Sequence, residues 1–227
     1  MRTDALPPMV IGKGQVPIAG GNMNFDVADN LFDVAMAYCS ENYPHEIAQA
    51  KSVSSETFES LSVESFLYEY CWAVYASGFK SDTVEAKMPF LTEIFFHFNV
   101  ERIVSDRSVD SALDVINNRR KLKSFLDGCK AICGIGFEKF KLALRAKGVD
   151  GLEDLPGIGP ITKFHLGKNI GLIDAAKPDI WLERAAARCT CSVDELVTYL
   201  SGKYRISKNT VDVVLWRYGA DRKLEMV

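Results

Sequence analysis

Apolar residues recur at spacings of three and four along most of the chain, and no stretch alternates with a period of two for long. Spacing of this kind lines apolar side chains along one face of an α-helix, whereas a half-buried strand requires alternation. Helix boundary signals agree with it, because Ser62 is a candidate N-cap and Gly78 and Gly148 are candidate C-terminal stops. The sequence therefore predicts an all-α fold, with the first 25 residues irregular.

The composition is that of an ordinary globular protein. At 227 residues the chain can bury a substantial core without disulfides or metals. No run of eighteen apolar residues predicts a membrane span, and the polar, Pro- and Gly-rich first residues do not resemble a signal peptide. The six cysteines and three histidines lack zinc-site spacing. We expect a cytoplasmic protein with free thiols, no metal and no cofactor.

The net charge of −3 conceals a strong asymmetry. Residues 1–70 hold three Lys or Arg and ten Asp or Glu, whereas residues 117–147 hold nine Lys or Arg and two Asp or Glu. A local basic surface can bind phosphate whatever the total charge, although a solvated helix face explains the pattern equally well. The residues expected on this surface are Arg119, Arg120, Lys121 and Lys123.

The stretch "LPGIGPITKFHLGKN", which begins at Leu155, reads as a hairpin followed by a helix. Gly157 and Gly159 permit positive φ or close backbone approach, and Pro160 suits the first turn of a helix. Leu155 and Ile158 are expected to anchor the hairpin in the core. A helix N-terminus with free N–H groups beside exposed glycines can bind a phosphate. The expected phosphate contacts are Gly157, Ile158, Gly159, Thr162 and Lys163, with Lys168 adding charge nearby.

The run "LEDLPGIGPITKFHLGKNIG" followed by "AKPDIWLERAA" resembles the helix-hairpin-helix DNA glycosylase superfamily. The segments "NNRRKLKSF" and "ASGFKSDTVEAKMPFLTEIFFHFNVERI" extend the similarity, the second toward bacterial 3-methyladenine DNA glycosylase I, so that it spans roughly residues 65–190. The resemblance implies a two-lobed helical fold with the active site between the lobes. One lobe is a core over 66–172 that carries the helix-hairpin-helix at about 150–170, and the other combines 1–65 with 173–227.

Asp179 lies 22 residues after Gly157, which is the spacing that the superfamily uses for its catalytic aspartate. Hydrolysis of an N-glycosidic bond develops positive charge on the sugar, and a carboxylate beside the sugar stabilises that charge and orients water. The alternative is that Asp179 only N-caps the helix that follows it. Asp174 is the rival carboxylate, at a spacing that fits less well.

The resemblance also bears on the type of reaction. Superfamily members that cleave the DNA strand carry a nucleophilic lysine at the position of Ile161, so simple hydrolysis to an abasic site is expected. A bifunctional glycosylase/lyase and a non-catalytic DNA-binding or sensing module remain alternatives. The expected partner is double-stranded DNA with a damaged or modified base, bound by a monomer. The target base stays open between an alkylated purine and a hypermodified base.

An enzyme that acts on a base must flip it out of the duplex, which requires aromatic walls for the base and a side chain to fill the gap. Trp72, Tyr75 and Trp181 are the candidates for the base pocket. Phe79 and Lys80, in the loop "ASGFKSD", stand where the superfamily inserts a wedge into DNA. A core position is the equal alternative for Phe79.

Overall fold

A computed structural model describes residues 23–79 and 81–225. Their regular structure is helical throughout, with fourteen α-helices, four 3₁₀ helices and no strand, so the prediction of an all-α fold is confirmed. The irregular start predicted for the chain lies outside the described residues, apart from Met23 and Asn24, which precede the first helix.

The α-helices are α1 (Phe25–Asn42), α2 (Pro44–Ser52), α3 (Ser55–Glu59), α4 (Val63–Ala76), α5 (Ser81–Glu85), α6 (Met88–Ile94), α7 (Val100–Ser105), α8 (Ala112–Val115), α9 (Arg119–Ile135), α10 (Phe137–Lys147), α11 (Thr162–Asn169), α12 (Ile180–Arg188), α13 (Val193–Tyr204) and α14 (Lys208–Ala220). The 3₁₀ helices are Phe96–Phe98, Arg107–Ser111, Gly148–Asp154 and Lys223–Glu225.

Local sequence explains the main helix boundaries. Ser62 caps α4 by accepting a hydrogen bond from the Ser65 N–H at 3.2 Å, as its position before an apolar run predicts. Gly78 follows the end of α4 with φ +79, and Gly148 ends α10 with φ +65. Positive φ costs glycine little, which is why glycine commonly terminates helices.

The buried side chains form two clusters. The first draws on residues between Phe58 and Ile170, from α3 to α11. The second combines residues between Ala28 and Ile47 with residues between Leu182 and Leu224, and so joins both ends of the described chain. Helices α1 and α14 pack together within it, and the Tyr38 and Tyr43 hydroxyls both donate to Asp221. The division into two lobes remains a prediction, since two clusters do not by themselves define lobes.

Helix α9 has the amphipathic character that its sequence predicts. Leu122, Phe125, Cys129 and Ile132 are buried in the first cluster, and Leu126 packs against its edge.

The six cysteines are free thiols. Among the described residues, no group of three or more His, Cys, Asp or Glu side chains is placed to hold a metal ion. None of the described helices has the length and apolar character that crossing a membrane requires.

Candidate active site between the two clusters

A cavity of about 360 Å³ lies where the two clusters meet. Its walls come from α2, α4, α11 and α14, together with the loop that leads into α12. The aromatic side chains that line it are Tyr68, Trp72, Phe79 and Trp216, and the ionisable ones include Glu69, Lys168, Lys177, Asp179 and Asp212. A concave site with aromatic walls and a few convergent polar groups is typical of small-ligand pockets.

Asp179 lines this cavity and also caps α12. Its Oδ1 accepts the backbone N–H groups of Trp181 at 3.0 Å and Leu182 at 3.3 Å. Its Oδ2 lies 3.9 Å from the Lys177 Nζ. One oxygen therefore holds the helix N-terminus, while the other keeps a looser ionic contact beside the cavity. The capping interpretation is confirmed, and it leaves the second oxygen open to another role.

The pKa of Asp179 is raised from its ordinary value. Burial is the main cause, because it disfavours the charged carboxylate, and the negative charge of Asp212 adds to it. The nearby Lys177 ammonium and the two amide hydrogen bonds act in the opposite direction. Perturbed carboxyl groups in a cleft are frequent at functional sites, although structural networks also produce them.

A buried ion pair supports the loop that carries Asp179. Lys168 Nζ lies 2.7 Å from Asp212 Oδ2 and donates to Asn209 Oδ1 at 3.0 Å. The other oxygen of Asp212 accepts the Lys177 N–H at 2.8 Å. Asp212 thus fixes Lys177, two residues before Asp179. Lys168 was expected near the hairpin phosphates, but it is buried instead, since its helix face turns toward α14.

His165 contributes an unusual polar group to the same cavity. Its Nε2 is buried without a hydrogen-bond partner. Burial, together with the positive charges of Lys168 and Lys177, holds the pKa of the imidazole well below its ordinary value. The ring is therefore neutral near pH 7, with one nitrogen that can donate and one that can accept.

The hairpin has the anchored geometry that its sequence predicts. Leu155 and Ile158 are buried, and the Tyr70 hydroxyl donates to the carbonyl oxygens of Pro156 at 2.6 Å and Ser124 at 3.0 Å. Gly157 has φ +87, and a Cβ added there would lie 3.1 Å from the Ser124 Cβ. Gly157 is therefore required by both conformation and space.

The hairpin leads into α11 with an open surface. A Cβ added at Gly159 would meet no atom within 4 Å. No side chain caps α11, and within the described residues the N–H groups of Gly159, Ile161 and Thr162 donate to no acceptor. Free N–H groups at a helix N-terminus favour an anion. Ile161 itself is exposed.

Lys163 differs from the expectation of a free phosphate contact. Its Nζ lies 2.6 Å from Asp150 Oδ1 and 2.5 Å from Glu153 Oε1, and these pairs raise its pKa. Thr162, one residue earlier, lines the cavity instead. The backbone N–H groups, rather than this lysine, are therefore the groups left free for the phosphate contact that the sequence predicts.

Three of the four residues predicted on the basic DNA-facing surface are exposed, and their contact with DNA remains a prediction. Arg119, Arg120 and Lys123 are exposed, although Lys123 forms an ion pair with Asp127. Lys121 is buried, and its Nζ donates to the carbonyl oxygens of Val74 at 2.5 Å and Ser77 at 2.6 Å. It satisfies carbonyl groups at the C-terminal end of α4, a favourable place for a cation. The expectation that Lys121 faces DNA is thus wrong.

The predicted base pocket requires correction. Trp72 lines the cavity, but Tyr75 is fully buried in the first cluster, with its hydroxyl unpartnered. Residues 68, 69, 72, 73 and 76 face the cavity, whereas position 75 lies just beyond the edge of that stripe and packs into the first cluster. Trp181 packs against the second cluster beneath Arg184. Tyr68 and Trp216, which also line the cavity, are not among the residues predicted for the pocket.

Phe79 lies at the rim of the cavity and is 41% exposed, so a core position is excluded. Lys121 Nζ lies 5.4 Å from the centre of its ring, on the side of the loop that faces the protein. Lys80 lies outside the described residues.

The rival carboxylate Asp174 accepts the Asn209 N–H at 3.0 Å and does not line the cavity, which leaves Asp179 as the better placed of the two.

No protein-family model, curated protein or solved structure matches this chain.

Proposed function

We propose that this protein is a monofunctional DNA N-glycosylase, which hydrolyses the N-glycosidic bond of a flipped, modified base and leaves an abasic site. The observation that carries the proposal is the position of Asp179 on an aromatic-lined cavity of about 360 Å³. The hairpin with free N–H groups, whose helix α11 lines the same cavity, supports a phosphate backbone as the partner. The site is proposed to lie between two lobes.

Asp179 has the chemistry that such a reaction needs. As the bond to the base breaks, positive charge develops on the sugar, and the Asp179 Oδ2 stabilises it electrostatically. The same oxygen accepts a proton from the attacking water. Because Oδ1 is held by two backbone amides, the carboxylate is oriented before the substrate arrives, which lowers the cost of reorganisation.

The remaining parts of the site serve to bind and flip the nucleotide. The rings of Trp72 and Trp216 offer stacking surfaces for the base. Phe79, exposed at the rim, fills the space that the base leaves in the duplex. The amides around Gly159 bind phosphates without reading sequence. We propose that the protein acts as a monomer in the cytoplasm, in base excision.

The strand-cleaving alternative needs an uncharged lysine at the sugar. Lys168 is the lysine that the cavity offers on α11, but its Nζ is held by Asp212 at 2.7 Å and by Asn209 at 3.0 Å, so it is not free to attack the sugar. The position of Ile161 offers no amine at all. The geometry therefore supports hydrolysis, and borohydride is expected to trap no covalent complex with abasic DNA.

Asp179→Asn tests the proposal, because asparagine is as good an N-cap as aspartate but carries no charge. Excision should fall by about 10²–10³, while DNA affinity and the unfolding midpoint stay near those of the unmodified protein. Single-turnover assays on duplexes with alkylated, deaminated, oxidised and glucosylated bases measure this. Excision within threefold of the unmodified protein would reduce Asp179 to a capping residue. Binding without excision of any base would favour the non-catalytic module.

A further inference from the structure

A second space lies beside the cavity. An open groove of about 480 Å³ adjoins it, and the two spaces share the lining residues Gln49, Val53, Tyr68, Glu69 and Asn169. The two spaces thus adjoin at these five side chains, which we call the junction.

The groove has a distinct chemical character. Within the described part of the chain no lysine or arginine lines it, whereas Glu64 and Glu69 do. Its other polar linings include the hydroxyl groups of Ser52, Thr57 and Ser65. A negatively charged group would meet His97 but no lysine or arginine there, so the two carboxylates favour groups that donate hydrogen bonds.

Glu69 gives the junction an acceptor that the protein leaves partly unused. Its Oε2 accepts from Asn169 Nδ2 at 2.9 Å, while its Oε1 has no partner among the described residues. Burial raises the pKa of this carboxyl, against the opposing effects of the Asn169 hydrogen bond and the Lys168 charge. The Oε1 oxygen is not among the buried side-chain atoms that lack a partner, so it keeps contact with solvent and can accept a hydrogen bond from a ligand.

We infer that the substrate base carries an arm of several atoms that passes through the junction into the groove and ends in a hydrogen-bond donor, a hydroxyl or an amine. This inference rests on the glycosylase function proposed above and names its substrate class. Because the groove is open to solvent, it sets no upper limit on the length of the arm. Once it has passed the junction, further length should change affinity little.

The probes are DNA duplexes in which the target nucleoside carries a 2′-fluorine, which opposes positive charge on the sugar and so prevents excision. The set comprises an unsubstituted pyrimidine and 5-substituted pyrimidines with arms of about six atoms ending in a hydroxyl, an amine or a carboxylate. Fluorescence anisotropy measures the affinity for each. The hydroxyl and amine arms should bind at least tenfold more tightly than the unsubstituted base, and the carboxylate arm should not.

Ser52→Trp and Lys51→Trp form a matched pair of variants. Both residues are exposed in the last turn of α2, but only Ser52 lines the groove. Ser52→Trp should remove most of the preference for an arm, and Lys51→Trp should retain it.

The outcomes separate this inference from the catalytic proposal. Equal affinity for all duplexes, or an equal preference for the carboxylate arm, would overturn the inference even if an unsubstituted base is excised. A preference that survives Ser52→Trp unchanged would also overturn it, because the arm would then lie elsewhere. A donor-ended arm that binds selectively, with no excision from the matching 2′-deoxy duplex, would support the inference and overturn hydrolysis instead.

Discussion

The two carboxylate oxygens of Asp179 have different surroundings, so that one oxygen serves the fold and the other is open to the proposed reaction. Oδ1 is held by backbone amides of α12, and Oδ2 lies 3.9 Å from the Lys177 ammonium. A cap fixes the orientation of a carboxylate more firmly than a solvated position would. The cap is therefore part of what makes the proposed catalytic group ready for its substrate.

The pH dependence of excision should report the environment of Asp179. Its pKa is raised by burial and by Asp212, against Lys177, so the active carboxylate is lost, as the pH falls, at a higher pH than for an ordinary aspartate. Lys177→Met removes a positive charge that lowers this pKa, and should move the acid limb of the single-turnover rate further upward. An acid limb at the same pH in both proteins would show that another group controls it.

Single side chains also show what the sequence could not predict. Asp179 could be selected from the sequence as a candidate, because its spacing from the hairpin is local information. Lys121 was assigned to the wrong face, although it lies four residues before Phe125 and therefore near the buried face of α9. Its acceptors at the carbonyl end of α4 could not be read from the run "RRKLK". Lys168 and Asp212 lie far apart in the sequence, and Asp212 resembles an ordinary charge in the first turns of an amphipathic helix. Their pairing depends on how α11 packs near α14, which no local pattern contains.

The helices were more predictable than the contacts between them. The faces of α9 and the ends of α4 and α10 follow from the spacing of apolar residues and from capping residues. The stripe of α4 that lines the cavity was beyond prediction, because both faces of this helix carry aromatic residues. Trp72 and Tyr75 are three residues apart and so lie on neighbouring parts of the same helix surface, and the helical period does not say which of the two faces the core.

The contact between α4 and α9 provides a test of the role found for Lys121. Lys121→Met removes two charged hydrogen bonds to the carbonyl oxygens of Val74 and Ser77, and should lower the free energy of unfolding by about 1.5–3 kcal/mol. Arg120→Met, at the adjacent exposed position, should leave it nearly unchanged. Urea denaturation measures both. Equal effects of the two substitutions would mean that the buried contacts contribute nothing specific.

At the scale of the whole molecule, the uneven charge distribution should determine which surface contacts the DNA phosphates. Arg119 and Arg120 are exposed, and within the described residues no carboxylate pairs with either. If they neutralise phosphates, replacing each with glutamine should flatten the slope of log affinity against log salt by about 0.9. Lys163→Gln is the control, because Asp150 and Glu153 already neutralise that lysine. An unaltered slope in the arginine variants would leave these residues as a solvated helix face.

The buried pair of Lys168 and Asp212 restricts how this sequence can change over generations. Loss of either residue alone leaves an uncompensated charge in the interior, which typically costs about 3–5 kcal/mol, a large part of the stability of an ordinary domain. Replacement of both by apolar residues of similar volume is often neutral or stabilising. For stability alone, the two positions can therefore change together more easily than one at a time. An evolutionary path between the paired and the apolar states must cross an unstable intermediate, and it would also release the Lys177 N–H that Asp212 holds.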